Sequence, residues 1–442
     1  MKRMIQISLL TPLLFMQATA SAESFSQIYQ QALNFDPQTK SAQLQAQSVQ
    51  TTIRQAKARL YPAIQLSAGY SQNRYEYNPK YADKKLEQGL YSVGVQINQS
   101  LYDPRVYANI KVQKSKSQLS QLQYQYQALT LAQDTLQAYL ELIRSQEKIK
   151  LLQSYVTLNQ SKLQKVQKQY KLHLSSQIEV LQAQVDLDNA QIELKKQKNL
   201  HQTNLVKLRK FIGDVPVHTA QMTLEDPKVL QKVQAMQAYI EQQANQTDNN
   251  PQIQYAQASV VSAQAQIQQA KSDYWPKINL TASYNHYATD TPNNQNSYDN
   301  TSSLGLNLMV PLYSGGQTNA QVEGAQLLKK AAQQDLLNAK NNLQVQWKEA
   351  KASFDNAVNL LPMYLHAVQA SKLYLQAQQK KYQKGLASLI EVNDAINKLY
   401  QTQFKYIDNM ASLTQSYITL LVVANQIQGL RLADTLLIEK KK

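Results

Sequence analysis

A chain of 442 residues with only 10 glycines and 12 prolines has few places to stop a helix, and its Gln-, Ala-, Leu- and Lys-rich sequence suits long helices better than two or three thick globular cores. With no cysteine, disulfides, thiolate metal sites and an N-terminal lipidated cysteine are ruled out. The formal charge of +16 comes from lysines spread along helical stretches, not gathered with stacking aromatics, so it reads as solvated helix surface and not as a nucleic-acid face.

Lys2 and Arg3 precede an apolar run from Ile5 to Met16, and Ala20-Ser21-Ala22 supplies a small-residue cleavage pattern. Residues 1–22 are therefore expected to be a secretory signal, with Glu23 the mature N-terminus. No later stretch approaches the roughly 18 consecutive apolar residues of a membrane-crossing helix. A membrane span in the remaining chain would have to be a closed β-barrel.

The rest of the chain is written twice. Pro37 and Pro251 mark equivalent points, and at the same offset Gln55-Ala56-Lys57-Ala58-Arg59-Leu60-Tyr61-Pro62 reappears as Gln269-Ala270-Lys271-Ser272-Asp273-Tyr274-Trp275-Pro276. Ile64, Leu66, Ala68 and Tyr70 match Ile278, Leu280, Ala282 and Tyr284. Leu101-Tyr102-Asp103 meets Leu312-Tyr313-Ser314, and Tyr170 with Ile178-Glu179-Val180 meets Tyr382 with Ile390-Glu391-Val392. The expected repeats are 23–216 and 250–428, joined by a connector at 217–249 and followed by a tail at 429–442.

Each repeat opens with a helical stretch, 24–59 or 251–273, that stops at an aromatic–proline pair because proline forces the preceding residue into extended geometry. Alternating runs follow, expected as strands at about 62–75 and 90–102 and at about 276–286 and 303–312. The polar segments 72–88 and 286–302 read as loops, and Tyr61 and Trp275 as an interfacial aromatic rim at the opposite end. Asp103-Pro104 then reads as a helix cap followed by an N1 proline, with Ser314 as the second cap. Leu119, Leu122, Tyr126, Leu129, Leu136, Leu140 and Ile143 keep a 3–4 spacing that packs as a coiled coil, interrupted at Gln133. Turns at 172–177 and 384–389 return the chain along second helices at about 178–210 and 390–428.

Period-two patterning gives each strand one apolar and one polar face. Nothing in the sequence is available to cover the apolar one, which fits a barrel with lipid outside and water inside. Four strands do not close a barrel; two copies would give eight strands and a filled interior, whereas three give 12 and an aqueous lumen. The expected fold is mainly α with a small β part: a duplicated helix–β-hairpin–helix protomer whose trimer forms a 12-stranded barrel.

The signal, the duplicated plan and the segment Val310-Pro311-Leu312-Tyr313-Ser314-Gly315-Gly316 together resemble the TolC family of outer-membrane factors, over essentially the whole chain after residue 22. The resemblance implies an outer-membrane exit duct of a tripartite efflux pump or type I secretion system, passing small molecules or unfolded proteins. It implies a barrel continued by a long coiled-coil periplasmic tunnel. The partners it implies are a periplasmic adaptor (membrane fusion) protein and an inner-membrane pump or ABC transporter. Tyr382-Gln383-Lys384-Gly385-Leu386-Ala387-Ser388-Leu389-Ile390-Glu391-Val392-Asn393-Asp394-Ala395 is similar to the family's closed tunnel end, where two acids three apart ring the pore. Here these are Glu391 and Asp394, which share one helix face; six such carboxylates in a trimer would attract cations. The family's gate links imply Tyr382 on one helix pair and Ile178 and Glu179 on its neighbour, although Ala387 stands in place of the family's arginine and Ile178 in place of a small polar residue. His173, Ser175, Gly385 and Ser388 would lie in the periplasmic tip turns, where a left-handed residue suits Gly385 and is tolerated by His173.

The five histidines, His173, His201, His218, His286 and His366, are isolated, and no phosphate loop, dinucleotide fingerprint or nucleophile elbow occurs. Neither an enzyme nor a bound cofactor or metal is expected. Two other readings stay open. A periplasmic coiled-coil adaptor or scaffold without a pore would be favoured by solubility without detergent. An exported nucleic-acid-binding or adhesive protein would be favoured by salt-sensitive DNA affinity. Neither accounts for the two hairpins.

Overall fold

The computed structural model describes residues 23–77, 84–222, 227–243, 247–290 and 297–438; the expected signal at 1–22 lies outside the described residues. Helices α1 (Phe25–Phe35) and α2 (Pro37–Ala58) are separated at Asp36, whose carboxylate accepts the Thr39 N–H at 2.7 Å while Pro37 takes the first helical position. Strands β1 (Ala63–Tyr77) and β2 (Lys84–Tyr102) lead to α3 (Pro104–Lys171) and α4 (Gln177–Ile212). The 68 residues of α3 span roughly 100 Å at about 1.5 Å per residue. After β3 (Gln221–Met222) and α5 (Val229–Gln243), the plan repeats as α6 (Pro251–Lys271), β4 (Lys277–Asp290), β5 (Ser297–Met309), α7 (Gln317–Gln383) and α8 (Leu389–Val423). Helix α9 (Leu430–Asp434) and β6 (Leu437–Ile438) follow.

Four differences from the sequence-based expectation have physical reasons. The strands run further into the polar segments expected as loops, because the ladder is made by backbone groups and needs no apolar side chain; Arg74 still stands opposite Glu87, and His286 opposite Asn300. At the other end β5 stops at Met309, ahead of Pro311, which has no N–H to give a ladder. Gly316, with φ of 83°, caps α7, while Ser314 accepts the Thr318 N–H at 3.5 Å from one turn back. Connector and tail are not separate pieces, since β3 pairs antiparallel with β6 through Gln221↔Ile438 and Met222↔Leu437.

The four long strands form one antiparallel sheet in the order β1-β2-β4-β5. Its registers decide the faces. Ile64, Leu66 and Ala68 stand opposite Ile97, Val95 and Val93, which stand opposite Ala282, Tyr284 and His286. Leu280 and Ile278 continue that face to Leu306 and Leu308. The other face carries Gln65, Ser67, Gln96, Asn279, Thr281, Ser283, Ser303 and Asn307. Gly94 belongs to this polar face, and a Cβ there would meet the Asn285 side-chain oxygen at 2.1 Å, so a larger residue would have to turn the Asn285 side chain aside. Both faces are open in the single chain, and Leu66, Leu304 and Leu306 are exposed.

The main core lies at the waist, where the middle of α3 and α7 and the C-terminal parts of α4 and α8 meet α1, α5 and α9. Tyr139, Tyr417, Phe25 and Phe354 are fully buried there. Toward the turns this core ends with Leu361 on α7 and Tyr406 on α8, and only small clusters continue, such as Leu375 with Val392, Ala395 and Ile396. Pro362, inside α7, follows the last fully buried core residue of that helix.

Candidate functional site

The two hairpin turns at the ends of the long helices are built alike. Helix α3 is capped at Leu172 and the chain reverses through His173 at φ 59°; α7 is capped at Lys384 and reverses through Gly385 at φ 72°. Ser176 and Ser388 then start α4 and α8 with capping boxes closed by Glu179 and Glu391. Glu179 takes hydrogen bonds from the Ser175 hydroxyl at 2.5 Å and the Ser176 N–H at 2.9 Å. Glu391 takes them from the Ser388 N–H at 2.6 Å and the Ser388 hydroxyl at 3.1 Å. Donors aimed at the charged form favour it, so the Ser175 and Ser176 groups hold Glu179 below the ordinary carboxylate range, and Ser388 does the same for Glu391.

Glu391 and Asp394 are both exposed on one face of α8, with Val392 and Asn393 buried between them. The expected link between Tyr382 and Glu179 takes a different form within one chain. The Tyr382 hydroxyl donates to the Gln169 side-chain oxygen at 3.0 Å, and Lys165 Nζ lies 5.1 Å from the centre of its ring. Burial first, then the Glu179 charge, raises the Tyr382 phenol, while the Glu179 oxygens stay in the cap. Leu174, Ile178, Leu386 and Ile390 stand out from the two turns at 66 to 78 % exposure.

A set of residues that sequence reasoning missed joins the two halves just above the tip. Lys162 on α3 contacts the Asp186 carboxylate on α4 at 2.7 Å and the Asn393 side-chain oxygen on α8 at 2.5 Å, while Asn393 Nδ2 donates to Asp186 at 2.9 Å. The Lys162 side chain is 8 % exposed, so the triangle is largely shielded from water. Further along the same seam, the Tyr155 hydroxyl donates to Asn397 at 2.5 Å and its ring lies 4.0 Å from that of Tyr400. Near the waist, Asp408 on α8 accepts from Arg144 at 2.6 Å and Lys148 at 2.7 Å. One clue was present in the sequence: Lys162 and Asp186 are equally far from Leu174 at the centre of the turn, so an antiparallel hairpin brings them level. The choice of Asn393 depends on how α8 winds against α3.

The arrangement pins one helix pair to the other by polar contacts around a thin apolar filling. The family described as outer membrane efflux protein matches residues 28–214 and 242–426, one stretch for each half of the duplication. The outer membrane protein TolC of Vibrio cholerae is 25% identical over 432 residues, covering 97% of this chain and 96% of that protein. The alkaline protease secretion protein AprF of Pseudomonas aeruginosa is 21% identical over 88% of this chain and 81% of its own length. Among solved structures, that of CusC aligns with a TM-score of 0.76 at 16% identity, over 91% of this chain and 92% of that one.

Proposed function

Because this chain belongs to the outer membrane efflux protein family and serves as an outer-membrane exit duct, we propose that three copies close one 12-stranded barrel and one helical tunnel, gated at the tip turns. The observation that carries this reading is the sheet. Strands β1 and β5 are long edges without a neighbouring strand among the described residues, and the sheet has one apolar and one polar face. Hydrocarbon leaves an unpaired strand edge nowhere to hydrogen-bond, so β5 of one copy must pair with β1 of the next. The apolar face then meets lipid and the polar face water. Mass measurement of the intact assembly in detergent gives three copies if this is right, and a stable monomer or dimer refutes it. The chain has no cysteine of its own, so single cysteines placed on β1 and β5 report this pairing without background.

On this reading the tip turns lie in the periplasm and face an inner-membrane pump or ABC transporter through a periplasmic adaptor. What supports a docking role is the exposed set Leu174, Ile178, Leu386 and Ile390, surrounded by polar caps. Glu391 and Asp394 from each copy then ring the narrow end, and the Lys162–Asp186–Asn393 triangle keeps α7 and α8 folded in against α3 and α4. Small molecules or unfolded proteins are the cargo when that seam parts. Cysteines at Ser175 and Ser388 crosslink to the adaptor or to each other on this reading. Labelling of both from the cell exterior would reverse the orientation.

A further inference from the structure

We propose that the base of the sheet holds a site for an anionic glycerophospholipid of the periplasmic leaflet, in the hollow where β2 turns into α3 beside the junction of α6 with β4. The proposal rests on the outer-membrane barrel reading. The hollow has a volume of about 320 Å³ and is lined by Tyr102, Tyr107, Lys111, Gln268, Lys271 and Trp275 among others. Its side of the sheet follows from register. Tyr102 stands opposite Ile278, which stands opposite Leu308, so Tyr102 ends the apolar face and the hollow opens directly below the lipid-facing band. A second hollow at the same level is lined by Asn98, Asn279, Thr281 and Asn307 and belongs to the polar face, which distinguishes the two sides.

On the trimer reading, neighbouring copies would leave this hollow open. The strand order puts β2 and β4 in the middle of the sheet, so α3 and α6 are inner neighbours within one protomer and lie away from the edges where copies meet. Its lining is exposed in the single chain, with Tyr102 at 41 %, Tyr107 at 51 % and Trp275 at 56 %. Amphipathic rings at this level sit where acyl chains give way to headgroups. Lys111 and Lys271 supply the charge. The nearby Asp273 is engaged by Arg105 at 3.1 Å and Lys277 at 3.7 Å, and neither Lys111 nor Lys271 has an acidic partner among the described residues. Two uncompensated ammonium groups on flexible stems, beside three aromatic rings and below an apolar band, match a phosphodiester whose acyl chains lie along Ile278 and Leu308. The helices leave the sheet at this end, which selects the periplasmic leaflet and a phospholipid over the glycolipid of the outer surface.

The chain has two tryptophans, and only Trp275 lines the hollow; Trp347 lies on α7 against the waist core. Quenching of Trp275 emission by phosphatidylglycerol with brominated acyl chains, compared with brominated phosphatidylethanolamine in mixed micelles of the intact assembly, tests the site. The expected result is tighter apparent binding of phosphatidylglycerol, by about fivefold for each lysine at low salt. The preference is lost in the Lys111→Gln, Lys271→Gln double variant. Trp275→Phe should remove the quenched component and leave the Trp347 emission, which assigns the signal without relying on a single variant. Equal quenching by both lipids in the unmodified protein overturns the site and leaves the barrel standing. An absence of quenching by either lipid overturns both.

Discussion

Ser388 and Glu391 close a box in which each satisfies the other's backbone donor, and the same four-residue arrangement recurs at Ser176 and Glu179. Ser388→Ala should loosen the first turn of α8 by about 1 kcal/mol, read as faster amide exchange at Leu389–Val392 with the waist unaffected. Both carboxyls are held low in the folded state. Their contribution is therefore complete above the ordinary carboxylate value near 4.5 and fades as the pH falls through the lowered folded value. Acid should fray both tips before it disturbs the core. Glu391 and Asp394 have a second role on the proposed reading, since six carboxylates around a constriction outweigh lysines screened beyond about 8–10 Å. Replacing both with Ala should lower K⁺ over Cl⁻ preference and abolish block by trivalent cations from the periplasmic side. Unchanged selectivity and block in planar-bilayer recordings would make them an ordinary solvated helix face. Tyr139 is a different kind of residue: its buried hydroxyl donates to the Glu23 carbonyl and accepts the Ala220 N–H at 3.2 Å. Tyr139→Phe strands both groups and should lower stability by about 1–3 kcal/mol in a denaturant titration.

Between the waist and the tip, the helix pairs are held by a different balance of forces. Leu361 and Tyr406 end the large apolar core, and below them Asn397, Asn393 and Asp186 carry much of the attachment of α8 to the first half. Pro362 lies at this boundary in α7, where it removes one i→i−4 hydrogen bond. Lys150, its counterpart in α3, has an N–H to give, so the continuous helix of the second half carries one weaker turn that the first lacks. Asp186→Asn should therefore weaken the seam by about 1–3 kcal/mol through the loss of a charged partner for Lys162, and raise single-channel conductance with the assembly intact. The duplication, both hairpins and the tip turns were legible because period-two alternation and aromatic–proline stops are local. The outer ends of the strands were not, since polar residues such as Asn73 and Gln88 pair through backbone alone. The Lys162–Asp186–Asn393 triangle was only half legible: the hairpin sets the first two level, but the winding of one coil against another selects the third. Two-residue strands such as β3 and β6 have no period to read.

On the proposed reading, three copies of an open sheet have only one way to leave no edge exposed to lipid, which would make assembly and membrane insertion a single event. A cysteine on β1 should form disulfides with one on β5 only in the assembled state, and a crosslinked monomer would show the sheet closing on itself. The waist imposes an order on what precedes that event. The Asp434 carboxylate accepts the Phe25 N–H at 2.7 Å and the Ser26 hydroxyl at 2.7 Å, and Leu437 pairs with Met222. Phe25 and Ile28, fully buried in the finished structure, are thus fastened by residues made more than 400 positions later. A chain delivered to the periplasm from its N-terminal end must keep α1 waiting until Asp434 has crossed. A product that stops short of that residue would lack these contacts and leave the seam at the waist open, a difference between unfinished and complete copies that exists before any assembly.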